Sequence, residues 1–450
     1  MPPSTASHPF STWIFTFVVT FLAGTLAVAA QTPAENPSTS EQTDQKQEAD
    51  QQEQIDELRR QVEILAEEIE RLRAAEPAPV EITEREGRAR GLAPSAAAVY
   101  RRTTEGVSFG GYGEMLLENF SSESESGAGN PPTTRLDFLR AILYAGYRFD
   151  DQFVFNSEIE IEHAGEISVE FAYLDYTITD NLAVRGGLLL LPLGLVNEFH
   201  EPTAFIGARR PETEQRILPS TWRENGGGLL GSFGRVDFRA YVVNGLDASG
   251  FGSSGLRGGR QKGMRARAAN FAFAGRLDVD VVPGIFGGVG LYSGGSGQDA
   301  IAVDGTTLPI ATTIGEFHGQ VQLRGFDIRA LYARAAVADA GPLSLALDLP
   351  ADAPVAERMQ GAYVQVGYNL LSQTRERLSV MPYLRLESVD TQARVPDGFA
   401  RDLSKDGGFT TLGVELKPIP NIGVKVEYQR VTNEARTGRG QFNVNLGYAF

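Results

Sequence analysis

Phe153-Val-Phe-Asn-Ser-Glu-Ile-Glu-Ile-Glu-His163 alternates apolar and acidic residues. In an extended chain successive side chains point to opposite faces, so Phe153, Phe155, Ile159 and Ile161 share one face. Asn156, Glu158, Glu160 and Glu162 share the other. One face suits lipid and the other suits water, the division expected of a strand in a membrane-spanning barrel.

The same scheme recurs along the chain. Ile167, Val169, Phe171 and Tyr173 stand opposite Glu166, Ser168 and Glu170, and Phe271, Phe273, Leu277 and Val279 stand opposite Arg276, Asp278 and Asp280. Val424, Val426 and Tyr428 alternate with Lys425, Glu427 and Gln429. Period-two segments begin near Val107, Thr134, Phe153, Glu166, Leu182, Gly227, Val236, Ala268, Ile285, Ile310, Phe326, Gln360, Leu378, Phe409, Ile422 and Gln441. The expectation is an all-β, antiparallel transmembrane barrel of about sixteen strands over residues 106–450.

Connections also alternate in length. Short turns at 149–152, 179–181, 233–235, 283–284 and 420–421 interleave with longer loops at 121–133, 194–225, 247–265, 338–358 and 393–408. Short periplasmic turns and long outer loops are the usual asymmetry of outer-membrane barrels. The chain closes with Phe442, Val444, Leu446, Tyr448 and Phe450 on one face, a final strand with an aromatic end.

Composition agrees. Among 450 residues there is no cysteine, so neither disulfides nor thiolate metal sites can hold the fold. Gly 50 and Phe 25 suit many strands joined by tight turns. The net charge of −16 leaves no electrostatic footprint for nucleic acid.

Residues 1–30 read as a secretory signal, with an apolar run from Trp13 to Leu26 and the small residues Ala27-Val-Ala-Ala30 before Gln31. A membrane-anchor helix is the alternative. No later segment has 18 consecutive apolar residues. Residues 31–50 are polar and read as disordered. In residues 51–75, Ile55, Leu58, Val62, Leu65, Ile69 and Leu72 repeat at the seam spacing of a periplasmic coiled coil, or of an amphipathic helix on another surface. Residues 76–105, with Pro77, Pro79 and Pro94 among charged and small residues, read as an unfolded linker.

At Asn156-Ser-Glu-Ile-Glu-Ile-Glu-His163, Phe171-Ala-Tyr-Leu-Asp175 and Leu218-Pro-Ser-Thr-Trp-Arg-Glu-Asn-Gly226 the sequence resembles porins of the phosphate-selective porin O and P type, over roughly residues 107–450. The resemblance implies a trimeric sixteen-stranded barrel whose third outer loop folds inward to narrow the pore. Residues 194–225 stand in that ordinal position. The arginine ladder and lysine cluster of the family's phosphate specialists are not matched position by position.

Arg185, Arg239, Arg276, Arg329, Arg385, Lys417 and Lys425 fall on the inferred water-facing side, where facing cations could pass anions in steps. Carboxylates two residues away on the same face (Asp237, Asp278, Asp327 and Glu387) favour a salt-bridged lumen with a transverse field over a dedicated anion ladder. Glu158, Glu160, Glu162, Glu166 and Glu170 form an acidic wall that could attract cations or bind Ca²⁺, since clustered carboxylates are hard-oxygen ligands, but no metal-ligand loop of fixed spacing accompanies them and no metal is expected there. The third loop offers His200, Glu201, Arg209, Arg210, Glu212, Glu214, Arg216, Trp222, Arg223 and Glu224 for constriction and selectivity. Trp222, Arg223 and Glu224 could instead anchor the loop.

An enzyme is the competing class. Beyond the signal only His163, His200 and His318 remain, and no Gly-x-Ser-x-Gly elbow occurs. The sequence therefore points to an outer-membrane channel for passive diffusion of small hydrophilic solutes or anions such as phosphate, oligomeric by resemblance, with no cofactor. The alternative is a structural or adhesive barrel with a plugged lumen.

Overall fold

The computed structural model describes residues 84–450, apart from 103, 304, 375 and 376, together with Gln52, Ile55, Asp56, Glu57, Arg59, Arg60, Gln61, Glu63, Ile64 and Glu67. The latter group is helical and exposed, with Gln52 and Gln61 donating to Asp56 and Glu57 one turn away. The signal, the disordered stretch and the seam residues Leu58, Val62, Leu65, Ile69 and Leu72 lie outside the described residues.

The first strands are β1 (Gly106–Phe120), β2 (Thr133–Arg148), β3 (Phe153–Glu162), β4 (Glu166–Thr179), β5 (Leu182–Leu190), β6 (Arg223–Phe233) and β7 (Val236–Asn244). There follow β8 (Phe271–Val282), β9 (Ile285–Gly295), a loop hairpin of β10 (Ala302–Val303) and β11 (Thr306–Thr307), β12 (Ala311–Leu323) and β13 (Phe326–Val337). The last are β14 (Arg358–Tyr368), β15 (Ser379–Arg394), β16 (Asp406–Ile419), β17 (Ile422–Asn433) and β18 (Gln441–Ala449). Every strand pairs antiparallel with its neighbours; β10 and β11 pair only with each other, and the remaining strands, with β1 meeting β18, close a barrel of 16. The seam runs from Tyr112 opposite Ala449 to Phe120 opposite Gln441. Gly111 and Phe450 then exchange backbone hydrogen bonds of 2.9 Å, which leaves no free edge.

Burial is inverted relative to a water-soluble protein. On β3, Ile159 and Ile161 are exposed while Glu158 and Glu160 are 0% and 1% exposed. Phe317 and Leu412 likewise face outward at 63% and 64%, while Glu316, Thr411 and Glu415 on the same strands are buried inside. Apolar side chains outside and ionic side chains within are what a hydrocarbon surrounding demands.

Both ends of the barrel chain and the connections after β2, β4, β6, β8, β12, β14 and β16 lie at one rim, and the other connections, most of them longer, lie at the opposite one; residues 163–165 and 369–378 are the exceptions in length. Residues 191–222, the third loop at the far rim, fold into the lumen, as the resemblance implied; most of them are buried.

The linker expected over residues 76–105 differs from what is found. Residues 84–102 are folded inside the barrel at the rim that carries the termini. Ala89, Leu92, Ala93, Ala96, Ala97 and Val99 are buried, and Tyr100 donates to Asp175 at 2.6 Å. Arg85 pairs with Asp280 at 2.6 Å and Asp237 at 3.5 Å, and Arg88 also pairs with Asp280. Mixed charge and prolines suggest disorder only where no complementary surface exists. Here the inner wall supplies that surface.

Candidate functional site

The seven cations expected to line the pore all project inward from the wall, yet six of them are buried: Arg185, Arg239, Arg276, Arg329, Arg385 and Lys425. Lys417 is part-exposed. Each donates to backbone carbonyls of the two segments folded into the lumen. Arg185 reaches Arg90 O at 2.9 Å, and Arg239 reaches Ala89 O at 3.1 Å and also Arg88 O. Arg276 reaches Gly194 O. Arg329 reaches Ala204 O at 3.1 Å, Arg385 reaches Arg209 O at 3.1 Å and Lys417 reaches Thr203 O at 2.8 Å. Lys425 reaches Pro202 O at 2.6 Å and Phe205 O at 2.7 Å.

The physical reason lies in the inserted backbone. Residues 191–222 contain only one short helix, Glu212–Arg216, so most of their carbonyls lack regular partners. A buried carbonyl needs a donor, and a long cationic side chain from the wall supplies one. What reads along the strands as an anion ladder serves in this conformation as a row of brackets.

Carboxylates on the wall neutralise these brackets. Arg329 with Asp327, Arg276 with Asp278 and Arg385 with Glu387 pair at 2.9, 2.8 and 2.7 Å, two residues apart as the sequence suggested. Arg239 departs from that pattern. It pairs across strands with Asp278 at 3.3 Å and with Glu198 of the loop at 3.2 Å, while Asp237 accepts from Ser232 and faces Arg85. Arg185 holds Asp175 through two bonds of 2.7 and 2.9 Å, with its guanidinium over the Tyr173 ring.

The acidic wall is also occupied. Arg140 lies 3.2 Å from Glu114, 3.1 Å from Glu160 and 3.6 Å from Glu162. Glu158 and Glu170 face His200. Glu201 accepts from the Ser95 and Ala96 backbone N–H groups at 2.9 and 3.0 Å, which ties the loop to the inner segment.

Of the loop residues, Trp222, Arg223 and Glu224 are anchors. Trp222 is wholly buried against Tyr292 and donates to Glu224 at 3.1 Å. Arg223 pairs with Glu170 at 2.7 Å, and Glu224 accepts from Asn244 at 2.7 Å. Arg209, Arg210 and Arg216 are the part-exposed ones. Arg209 and Arg216 line a cleft of about 420 Å³ at the loop-bearing rim together with Glu212 and Arg439. Arg209 pairs with Glu118, and Arg216 with Glu212 at 2.8 Å. A second cleft of about 340 Å³ lies among Leu92, Phe205, Arg329 and Lys417, between the inner segment, the loop and the wall.

Arg257 and Arg260, which the sequence reading passed over, cap the loop from outside. Arg257 donates to Ser220 O, and Arg260 to Pro219 O at 3.2 Å and to Thr221 O. Burial first, then Arg210, lowers the Arg257 guanidinium to about 10; burial, then Arg257 and Arg223, lowers that of Arg260 to about 9. Cations are crowded there beyond their local countercharge. The signal was legible as a run of Arg257, Arg260, Lys262, Arg265 and Arg267 with no acid among them.

Glu214 gives the loop a pH dependence. It is fully buried, accepts from Val196 N at 2.7 Å and from Tyr363 Oη at 2.6 Å, and burial lifts its carboxyl from 4.5 to about 7. The docked loop therefore holds this proton more tightly than an undocked one. Docking is strongest below about pH 4.5 and loses roughly 3 kcal/mol as pH rises through about 7. Hydrogen exchange across residues 191–222, corrected for its intrinsic increase with pH, should accelerate between about pH 5 and about pH 8. Glu214→Gln, which keeps a neutral acceptor, should flatten that rise; an equal rise in both proteins would contradict the assignment.

No protein-family model matches the chain. Among solved structures, a loop-deletion form of OmpT, an outer membrane protein of Vibrio cholerae, is 12% identical and superposes with a TM-score of 0.51 over 77% of this chain and 99% of that one. An anion-selective porin from Comamonas acidovorans is 11% identical, with a TM-score of 0.50 over 77% and 100%. Pseudomonas putida OprB is 11% identical, with a TM-score of 0.50 over 77% and 94%. At such identities the likeness is one of fold. A protein of Aquifex aeolicus, described as an uncharacterized protein, is 37% identical over 356 residues, 76% of this chain and 79% of its own length. The chain belongs to the family of that Aquifex aeolicus protein, with the barrel fold seen in outer-membrane porins.

Proposed function

We propose that the protein is an outer-membrane channel through which small hydrophilic solutes diffuse, with anions favoured at its outer mouth. The observation that carries the reading is the inverted burial: an apolar belt outside a closed ring of strands and charged side chains within. The rim that bears both ends of the barrel chain then faces the periplasm. The anion preference is supported by Arg209, Arg210, Arg216, Arg257 and Arg260 at the opposite rim, where crowded cations raise the local concentration of anions. Phosphate as a favoured solute, trimeric assembly and a periplasmic helical stalk belong to the same proposal.

A second reading, a structural barrel with a filled lumen, is favoured by the burial of six of the seven wall cations. Bilayer recording separates the two. A channel should give discrete steps, and in a salt gradient its reversal potential should take the sign of anion selectivity. Arg257→Ala with Arg260→Ala should move that potential toward zero. Silence from the full chain, and from a chain whose inner segment has been replaced, would leave the structural reading standing.

A further inference from the structure

We propose that Glu158, Glu170 and His200 form a site for a divalent transition-metal ion of the zinc class, which staples the inward loop to the barrel wall. Glu158 and Glu170 come from the adjacent strands β3 and β4, and His200 comes from the loop. Their ligand atoms all lie within 4.8 Å of one another, and all three side chains are at least nine-tenths buried.

The histidine's second nitrogen sets the chemistry. Nδ1 lies 2.9 Å from the Asn197 carbonyl, which can only accept, so Nδ1 carries a hydrogen. Asn197 is itself held: its amide donates to Leu191 O at 2.7 Å and Trp222 O at 3.0 Å, and accepts from Trp222 N at 2.7 Å. In a neutral ring Nε2 is then a lone pair, and it faces Glu158 Oε1 at 3.1 Å and Glu170 Oε2 at 3.4 Å. Three acceptors converge on one point. A backbone carbonyl that orients a ring through Nδ1 is the usual outer partner of a metal-bound imidazole.

Distances fit as well. Ligands about 2.1 Å from a tetrahedral ion stand about 3.4 Å apart, close to both histidine–carboxylate separations. Glu158 Oε2 and Glu170 Oε2 are buried with no hydrogen-bond partner among the described residues. Charge argues in the same direction. Arg223 takes the other oxygen of Glu170, Arg140 is shared among Glu114, Glu160 and Glu162, and Glu158 has no ion-pair partner among the described residues except His200. A buried carboxylate so placed needs a cation. One imidazole with two carboxylates suits zinc or a neighbouring first-row ion better than calcium, whose ligands are oxygen alone.

The competing arrangement is a protonated His200 held between the two carboxylates, with no metal. The full chain, folded in detergent, stripped with chelator and titrated with Zn²⁺, distinguishes them. The expected result is one ion per chain, slower proteolysis of residues 191–222 when metal is bound, and a visible ligand-field band when Co²⁺ replaces Zn²⁺. Glu158→Gln and His200→Gln should each weaken uptake by more than the roughly 10–100-fold that outer-shell partners are worth. No stoichiometric uptake by the wild type, or unchanged uptake in both variants, overturns the proposal. Should a variant fail to fold, Cu²⁺ electron paramagnetic resonance of the wild type decides. Hyperfine splitting from one imidazole nitrogen supports the site, and its absence rejects it. None of these readouts requires conduction, so they stand apart from the channel reading.

Discussion

Arg239→Met should destabilise the folded barrel by about 3–5 kcal/mol, the cost of removing one partner from a buried ionic cluster. Arg239 is the point where three parts of the molecule meet. From β7 it reaches the loop through Glu198, the neighbouring strand through Asp278, and the inner segment through the carbonyls of Arg88 and Ala89. Its loss leaves Asp278 with Arg276 and His318. Glu198 fares worse, because Arg239 is its only ion-pair partner among the described residues and it is buried. Denaturant unfolding in detergent measures the shift, with exposed Arg436→Met as a control expected within about 0.5 kcal/mol. Adding Glu198→Gln to Arg239→Met should recover part of the loss, since the orphaned charge is then gone. Equal shifts in Arg239→Met and the control would mean that water enters the cluster and screens it.

The barrel was legible because its rule is local. Period-two alternation places side chains outside or inside without knowledge of any distant residue, and it fails where a bulge at Glu170 turns Phe171 and Tyr173, expected outside, into the interior; expected strand starts at Phe153, Glu166, Leu182, Val236, Ile285, Phe326, Ile422 and Gln441 coincide with the observed ones. The largest slip, Gly227 against Arg223, falls where β6 begins with Arg223 and Glu224, which the reading had given to the loop. Facing was legible for the cations as well, since all seven point inward.

What occupies the lumen was not legible. Arg185, Arg239 and Arg385 have the same sequence signature whether they front a water-filled path or a packed backbone. The difference resides in carbonyls of residues 88–90 and 209, between 95 and 176 positions away for three of these bonds. The folding of the inner segment is hidden from the sequence for the same reason. Residues 84–102 are too polar to fold alone, and their partners Asp175, Asp237 and Asp280 are distant in sequence. The site of Glu158, Glu170 and His200 was half visible: the carboxylates stood out as an acidic wall, but only the fold brings the loop histidine between them.

Replacing residues 84–102 with a Gly/Ser linker of equal length should raise single-channel conductance severalfold. The barrel does not depend on this segment for closure, because β1 and β18 pair directly along their length. The segment sits at the rim that carries both ends of the barrel chain, and it is fastened to the inner wall, the loop and the turn at Gly234. Arg185 and Arg239 hold its carbonyls, Asn156 donates to Ala96 O at 2.9 Å, and Glu201 accepts two of its N–H groups. A Gly/Ser chain retains the connection but loses Arg85, Arg88, Leu92, Val99 and Tyr100, and with them every side-chain reason to remain docked. Arg185 and Arg239 would then face water still paired with Asp175 and with Asp278 and Glu198, while Asp237 and Asp280 would lose Arg85 and Arg88. Residues 84–102 carry five arginines against two glutamates, so the proposed anion preference should weaken as conductance rises. A linker variant that conducts no better than the parent would show that the inward loop, rather than the amino-terminal segment, limits passage.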